Sequence, residues 1–293
     1  MEKPMIQKKT LKTLNHYIND KTLVICLNRP KRLNAFNSTM LHEILTTIEM
    51  VDSDDDICAV IFTGEGKYFC AGADLSEDSD ALTFSSRTDK INGIAPDEGG
   101  MLALRLYDFK KPIICAVNGA AVGIGATMQL PMDVRIASSD AKFGFVFSKR
   151  GLVPEACSSW FLPRIVGISQ ALQWCFHGEV FGADEALRGG LITEITAPED
   201  LLPRALAIAN RFTKKTSQVS LALTRQMLWK MMGSCHPLDA HQIDSRGIQL
   251  RRNSADGEEG IRSFLEKRDS NFQETVSENM PPFYPWWENR KFE

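Results

Sequence analysis

With 293 residues, 43% of them hydrophobic, the chain can bury a substantial core in one large domain or two coupled ones. Its 24% charged residues and formal net charge of −3 leave no basic excess to favour nucleic acid and no acidic run to suggest a disordered tail. Seven scattered cysteines without a CxxC pair exclude a disulfide framework and read as the reduced thiols of a cytoplasmic protein, and with five dispersed histidines they argue against a metal centre.

The N-terminal MEKPMIQKKT lacks the apolar segment of a secretory signal. The first predicted element is a strand over residues 22–30, TLVICLNRP, closed by Pro30. A helix follows, capped by Asn37 or Ser38, with Leu41, Ile44, Leu45, Ile48 and Val51 at helical spacing and the acidic SDDD at its end. CAVIFTGEG, residues 58–66, reads as a short buried strand entering a glycine turn. Residues 75–100 are polar and weakly periodic, either a mobile loop or a loosely packed helix beside a site, or a solvated surface insertion.

The strand–helix–strand rhythm resumes with PIICAVNG (112–119), AAVGIGATM and DVRIASS (133–139), which marks an α/β fold with largely parallel strands. The apolar runs here are too short and too glycine-rich to span a bilayer. From about Ala156 helices dominate, and LLPRALAIANRFTKK, VSLALTRQMLWKMM and EEGIRSFLEKRDSNF are each amphipathic. The expected organisation is an α/β core over residues 12–204 and a helical C-terminal region over 205–293. The final PPFYPWWENRKFE carries aromatics that should dock on the chain's own surface or on a neighbouring subunit, since left exposed they form a sticky patch.

Two glycine-rich turns, YFCAGADLSE (68–77) and VNGAAVGIGATM (117–128), each follow a strand. A strand that feeds a glycine turn and then a helix aims free backbone N–H groups at one point, with the helix dipole adding positive potential. An oxyanion hole is built that way. The glycines could equally do no more than permit tight turns and close packing. Gly123-Ile124-Gly125 lacks the later glycine of a dinucleotide fingerprint.

Together with their neighbours, the turns resemble one family. LNRPKRLNAFN, FCAGADL, KPIICAVNGAAVGIG and DVRIASSDAKFGF, continued by HGEVFGADEALRGGLITEI and EGIRSFLEKRDSNF, are similar in order and spacing to the crotonase (enoyl-CoA hydratase/isomerase) superfamily, over roughly residues 23–272. The resemblance implies a spiral of β-β-α turns, C-terminal helices that mediate a homo-trimer or a hexamer of two trimers, and an acyl-coenzyme A thioester substrate. Coenzyme A then belongs to the substrate and is no separate cofactor. The resemblance puts the oxyanion-hole N–H groups on Ala73 and Ile124, Lys31, Arg32 and Ala35 near the CoA nucleotide, and Ala71 near the adenine. It puts Phe264 and Lys267 at positions that contact CoA from an adjoining subunit. Lys31 and Arg32 could equally be solvated surface charge, and Phe264 could be core at helical spacing.

The acids depart from the hydratase pattern. Relatives that add water use two glutamates, one just after the second glycine turn and one after the KFG strand; Thr127 and Phe147 stand there in this chain. An acid is found instead at Glu155, in PEACSS, which resembles the PEGCSS of peroxisomal-type Δ3,Δ2-enoyl-CoA isomerases. Moving a double bond needs one carboxylate that takes a proton from C2 and returns it at C4. Hydration needs a held water and a second acid. Apolar neighbours in sequence (Phe145, Phe147, Trp160, Phe161) should raise the Glu155 pKa. Its bland alternative is an N-cap or first-turn acid of the helix that follows. The expectation is therefore an isomerase working through Glu155. A hydratase with an unconventional second acid, for which Glu77 or Asp78 would serve, and a non-catalytic acyl-CoA binder are the alternatives. Asp74 and Asp133 are expected to be structural.

Overall fold

A computed structural model describes residues 11–76 and 90–292. The chain opens with an antiparallel hairpin, β1 (Leu14–Asn19) on β2 (Thr22–Leu27). It then alternates between two sheets. β3 (Ala59–Gly64) extends the first sheet, and β4 (Tyr68–Cys70) begins a second. β5 (Ile113–Val117) and β6 (Ala120–Val122) repeat the step, as do β7 (Val134–Ser138) and β8 (Lys142–Gly144). β9 (Val180–Gly182) ends the second sheet and β10 (Glu194–Thr196) the first. The orders are β1-β2-β3-β5-β7-β10 and β4-β6-β8-β9. The first sheet is parallel from β2 onward, and in the second only β9 runs antiparallel.

Helices fill the returns: α1 (Ser38–Ser53), α2 (Glu98–Asp108), α3 (Ile124–Thr127), α4 (Ser158–Val166), α5 (Ile168–His177) and α6 (Ala183–Arg188). The fold is thus the expected α/β spiral of β-β-α turns. Asn37 is the cap of α1; its Oδ1 accepts from Met40 N at 3.0 Å. The strand expected over 22–30 stops at Leu27, because Pro30 has no N–H for a ladder and starts a short 3-10 turn at Pro30–Arg32 instead.

The central strands are buried on both faces, which is why they read as continuous apolar runs. Leu23, Ile25, Leu27, Val60, Phe62, Ile113 and Cys115 face the main core with α1 and α2. Val24, Ala59, Ile61, Ile114, Ala116 and Ile136 face the other way, onto α7 (Leu201–Thr213). The expected division at 204/205 falls inside α7, which lays Leu201, Ala205, Ile208 and Ala209 on the sheet. Helices do not take over completely after Ala156, since β9 and β10 follow it; each is too short for a periodicity to mark.

Next come α8 (Gln218–Met231), α9 (Pro237–Arg252) and α10 (Ala255–Glu266). Periodicity does not mark α9, which buries only Ile243 and Gly247. α8 is latched to the core through Asp133, whose Oδ2 accepts from Ile113 N (2.7 Å) and Arg225 Nε (2.9 Å), and whose Oδ1 accepts from Trp229 Nε1 (3.0 Å). Arg225 also donates to the backbone oxygens of Leu106, Tyr107, Phe109 and Pro131. The aromatic tail docks on its own chain: Trp287 covers Lys230 Nζ at 4.3 Å from the ring centroid, and Tyr107 faces the same ammonium at 3.8 Å. Among the described residues no helix is long and apolar enough to cross a membrane.

Candidate active site

Two segments far apart in sequence are knitted together beside the ends of β2 and β4. Phe36 N donates to Gly72 O (2.9 Å), Asp74 N to Phe36 O (2.7 Å) and Ala71 N to Leu33 O (3.1 Å). Arg29 pairs with Asp74 at 2.5 Å and also reaches Ala35 O, which makes Asp74 a structural clamp. Leu33 and Asn34 both take left-handed backbone (φ 53°), and buried Asn34 fixes that turn by donating to Glu65 O and Tyr68 O. This stitching brings Lys31, Arg32, Ala35, Ala71 and Ala73 into one patch, with Lys31 and Arg32 exposed.

The two glycine turns meet at this patch. Gly72 and Gly123 both have positive φ (124° and 56°), and a Cβ added to Gly123 would stand 3.9 Å from Gly72 Cα. The next residues are Ala73 and Ile124. Ile124 is the first residue of α3, where the N–H has no intrahelical acceptor. Among the described residues, neither N–H has a protein acceptor.

Glu155 approaches from the other side. The helix-cap alternative does not hold: the N-cap of α4 is Cys157, without a side-chain bond, and the first turn of α4 carries no acid. Glu155 is instead turned inward, where Thr127 Oγ1, at the end of α3, donates to its Oε1 at 2.5 Å. Its Oε2 faces the first turn of α2. A Cβ added to Gly99 would lie 2.4 Å from that oxygen and 2.6 Å from Ile124 Cδ1, so carboxylate and isoleucine confront each other across one glycine. Burial pushes the carboxyl up from 4.5 to about 7, with the Thr127 bond pulling down and the Asp97 charge pushing up.

The turn holding Glu155 is unusual: Ala156 and Cys157, neither a glycine, are both left-handed (φ 53° and 56°). Asp97 anchors it. This N-cap of α2 accepts from Gly99 N (3.2 Å) and Gly100 N (2.8 Å), and its Oδ2 also accepts from Ala156 N at 2.7 Å. A partly buried carboxylate with raised pKa, beside glycine turns with unpaired N–H groups, can exchange protons with a bound molecule whose developing negative charge those turns receive.

Residues 18–275 match the family described as enoyl-CoA hydratase/isomerase. The chain belongs to this family. It is 40% identical over 260 residues to the enoyl-CoA hydratase ACTT3 of Alternaria alternata, covering 88% of this chain and 85% of that one. It is 34% identical to the 1,2-epoxyphenylacetyl-CoA isomerase of Escherichia coli, covering 87% and 96%. Among solved structures, the enoyl-CoA hydratase subunit I of Geobacillus kaustophilus superposes with a TM-score of 0.79 at 30% identity, covering 89% and 98%. As an enoyl-CoA hydratase/isomerase family member, the chain acts on acyl-CoA thioesters.

Phe264 and Lys267 lie apart from the residues stitched around Ala73. They end α10, which packs on α9 and lines a groove of about 610 Å³ with Leu221, Ile261 and Leu265. Phe264 is 82% exposed, so the core alternative for it is wrong. Glu77 and Asp78 lie outside the described residues. Sequence reasoning missed Asp97 and the neighbours of Glu155 from α2, because 75–100 read as irregular; an Asp four residues ahead of the amphipathic MLALRLYDF was the available signal. It also read Thr127 only as a missing acid, whereas the hydroxyl touches the acid that is present.

Proposed function

We propose that this protein shifts the double bond of a 3-enoyl-CoA to the 2-enoyl position, as the peroxisomal-type Δ3,Δ2-isomerases it resembles do. The observation that carries the reading is the inward-turned carboxylate of Glu155, facing Ile124 across Gly99, while Thr127 and Phe147 occupy the positions of the hydratase glutamates. Glu155 takes a proton from C2 of the thioester, and the N–H groups of Ala73 and Ile124 hold the dienolate oxygen. The electron pair of the broken C2–H bond forms the C1–C2 double bond as the carbonyl pair moves onto oxygen; when the carbonyl re-forms, that pair shifts into C2–C3, the C3–C4 pair takes the proton back at C4, and Glu155 returns to the carboxylate. The patch around Lys31, Arg32, Ala35 and Ala71 would receive the CoA nucleotide, with Phe264 and Lys267 contributing from an adjoining subunit. Exposed Leu228, Phe264 and Leu265 on the C-terminal helices suit burial in a trimer or hexamer. That chemistry suits a place in fatty-acid β-oxidation.

Hydration is the second reading, favoured by the name of the 40% identical Alternaria relative. The two part on wild-type protein offered 3-enoyl-CoA and 2-enoyl-CoA side by side. Isomerisation of the first with slow hydration of the second is expected, and rapid hydration would overturn the isomerase reading.

Gly99 supplies a finer test. Its Cβ position is already claimed by Glu155 Oε2 and Ile124 Cδ1, so Gly99→Ala must move the carboxylate or the end of α2. A shift of about 1 Å in a reacting group costs on the order of 100-fold, and kcat should fall by about that factor with the fold intact by circular dichroism. Unchanged kcat would mean that the carboxylate is not held where the reaction needs it.

A further inference from the structure

We propose that Thr127 and Asp97 are positioning residues that hold Glu155 from opposite sides, Thr127 gripping Oε1 and Asp97 gripping the backbone N–H of Ala156, so that Oε2 is the oxygen left to move the proton. This rests on the reading of Glu155 as the proton shuttle.

Thr127 is fully buried at the end of α3. Its Oγ1 donates to Glu155 Oε1 and also lies 3.3 Å from Gly123 O. A hydroxyl has one proton to give and two lone pairs. It can therefore serve both states of a shuttling acid. It donates to Oε1 of the carboxylate, and it turns to Gly123 O when the acid is neutral, with no heavy atom displaced. Valine in this place would keep the shape and lose both functions.

Asp97 works through the backbone. One carboxylate joins two amides of the α2 N-terminus to the amide that follows Glu155. That amide opens the pair of left-handed non-glycine residues, a conformation that persists only where its surroundings enforce it. The same anchor carries a negative charge close to the acid it positions. Among the described residues, the titratable groups that act on Glu155 are Asp97 from α2, Cys70 from β4 and Cys157 from its own turn; burial raises both thiols, which leaves Asp97 as the charged one. Thr127 thus favours the ionised form of Glu155, and Asp97 favours the protonated form.

Opposite grips predict opposite displacements. The Glu155 carboxyl can be followed by 13C NMR of glutamate-labelled protein, its resonance assigned by its loss in Glu155→Gln, so the readout does not depend on turnover. Thr127→Val should raise the titration midpoint by on the order of one pH unit, Asp97→Asn should lower it, and Thr127→Ser should restore the wild-type value. In 3-enoyl-CoA isomerisation the acidic limb of kcat should follow the midpoint while KM stays constant. Midpoints that do not move, or that move the same way in both variants, overturn the proposal. Should Asp97→Asn unfold, the Thr127 pair decides alone: a valine variant that titrates like the serine variant overturns it. Midpoints that move as expected in a protein that does not isomerise 3-enoyl-CoA would instead leave the grips standing and remove the isomerase reading.

Discussion

Replacing Glu155 by glutamine is expected to abolish isomerisation of 3-enoyl-CoA, with kcat down by about 10²- to 10⁴-fold, while acyl-CoA affinity is retained. Positioned proton transfer is worth about that much, and the amide keeps the size of the side chain without its ability to take up and return a proton. Binding is expected to survive because the proposed contacts to the CoA nucleotide and to the thioester oxygen are made by other residues. The wild type should lose activity as pH falls through about 7, since the reaction starts from the carboxylate and burial has raised its pKa to that value.

Stability should move the other way. Folding raises the carboxyl from 4.5 to about 7, so the native state binds the proton more tightly than the unfolded chain does. The stabilisation is present below pH 4.5 and lost as pH rises to about 7; above that the ionised group costs at most about 3 kcal/mol. Glu155→Gln should therefore melt above the wild type at pH 8 and close to it at pH 4. An inactive variant that melts below the wild type at pH 8 would point to a structural acid and sink the shuttle.

Asp133→Ala is expected to lower stability by about 3–5 kcal/mol, the usual consequence of removing one partner of a buried ion pair. The Arg225 side chain is 5% exposed and would keep its carbonyl partners while losing its counter-charge. Ile113 N and Trp229 Nε1 would lose their acceptor in the same step. Denaturant unfolding followed by tryptophan fluorescence would measure the change. A loss below about 1 kcal/mol would mean that the surrounding carbonyl oxygens suffice to hold the guanidinium.

The elements legible in the sequence were those whose pattern is enforced by burial. β3 and β5 read as apolar runs because both of their faces are covered, and α1 read correctly, with Asn37 one of two candidates for its cap. The second sheet was harder: its four strands have three residues each, shorter than any periodicity can mark. Of the site, the two glycine turns and Glu155 were visible as motifs, and Asp74 and Asp133 as structural acids. Glu155's surroundings were not, because Gly99, Asp97 and Thr127 reach it only through tertiary contact. No local pattern distinguishes a helix cap that also anchors a distant turn from an ordinary one.

The interleaving of the two sheets also bears on how the protein is made. Beyond the first hairpin, the large sheet has no neighbouring strands joined by a short turn: Thr22 pairs with Ala59, Val60 with Ile113, and Ile136 with Glu194. Each such closure spends chain entropy before it returns contacts, so folding should be slow for a protein this rich in helix. On the ribosome, β2 must wait for β3, and β7 must wait until β10 has emerged. Until α2 and α3 have been brought back against the turn at Ala156, Glu155 is an ordinary acid in water, and recovery of turnover in a refolding experiment would time that late event.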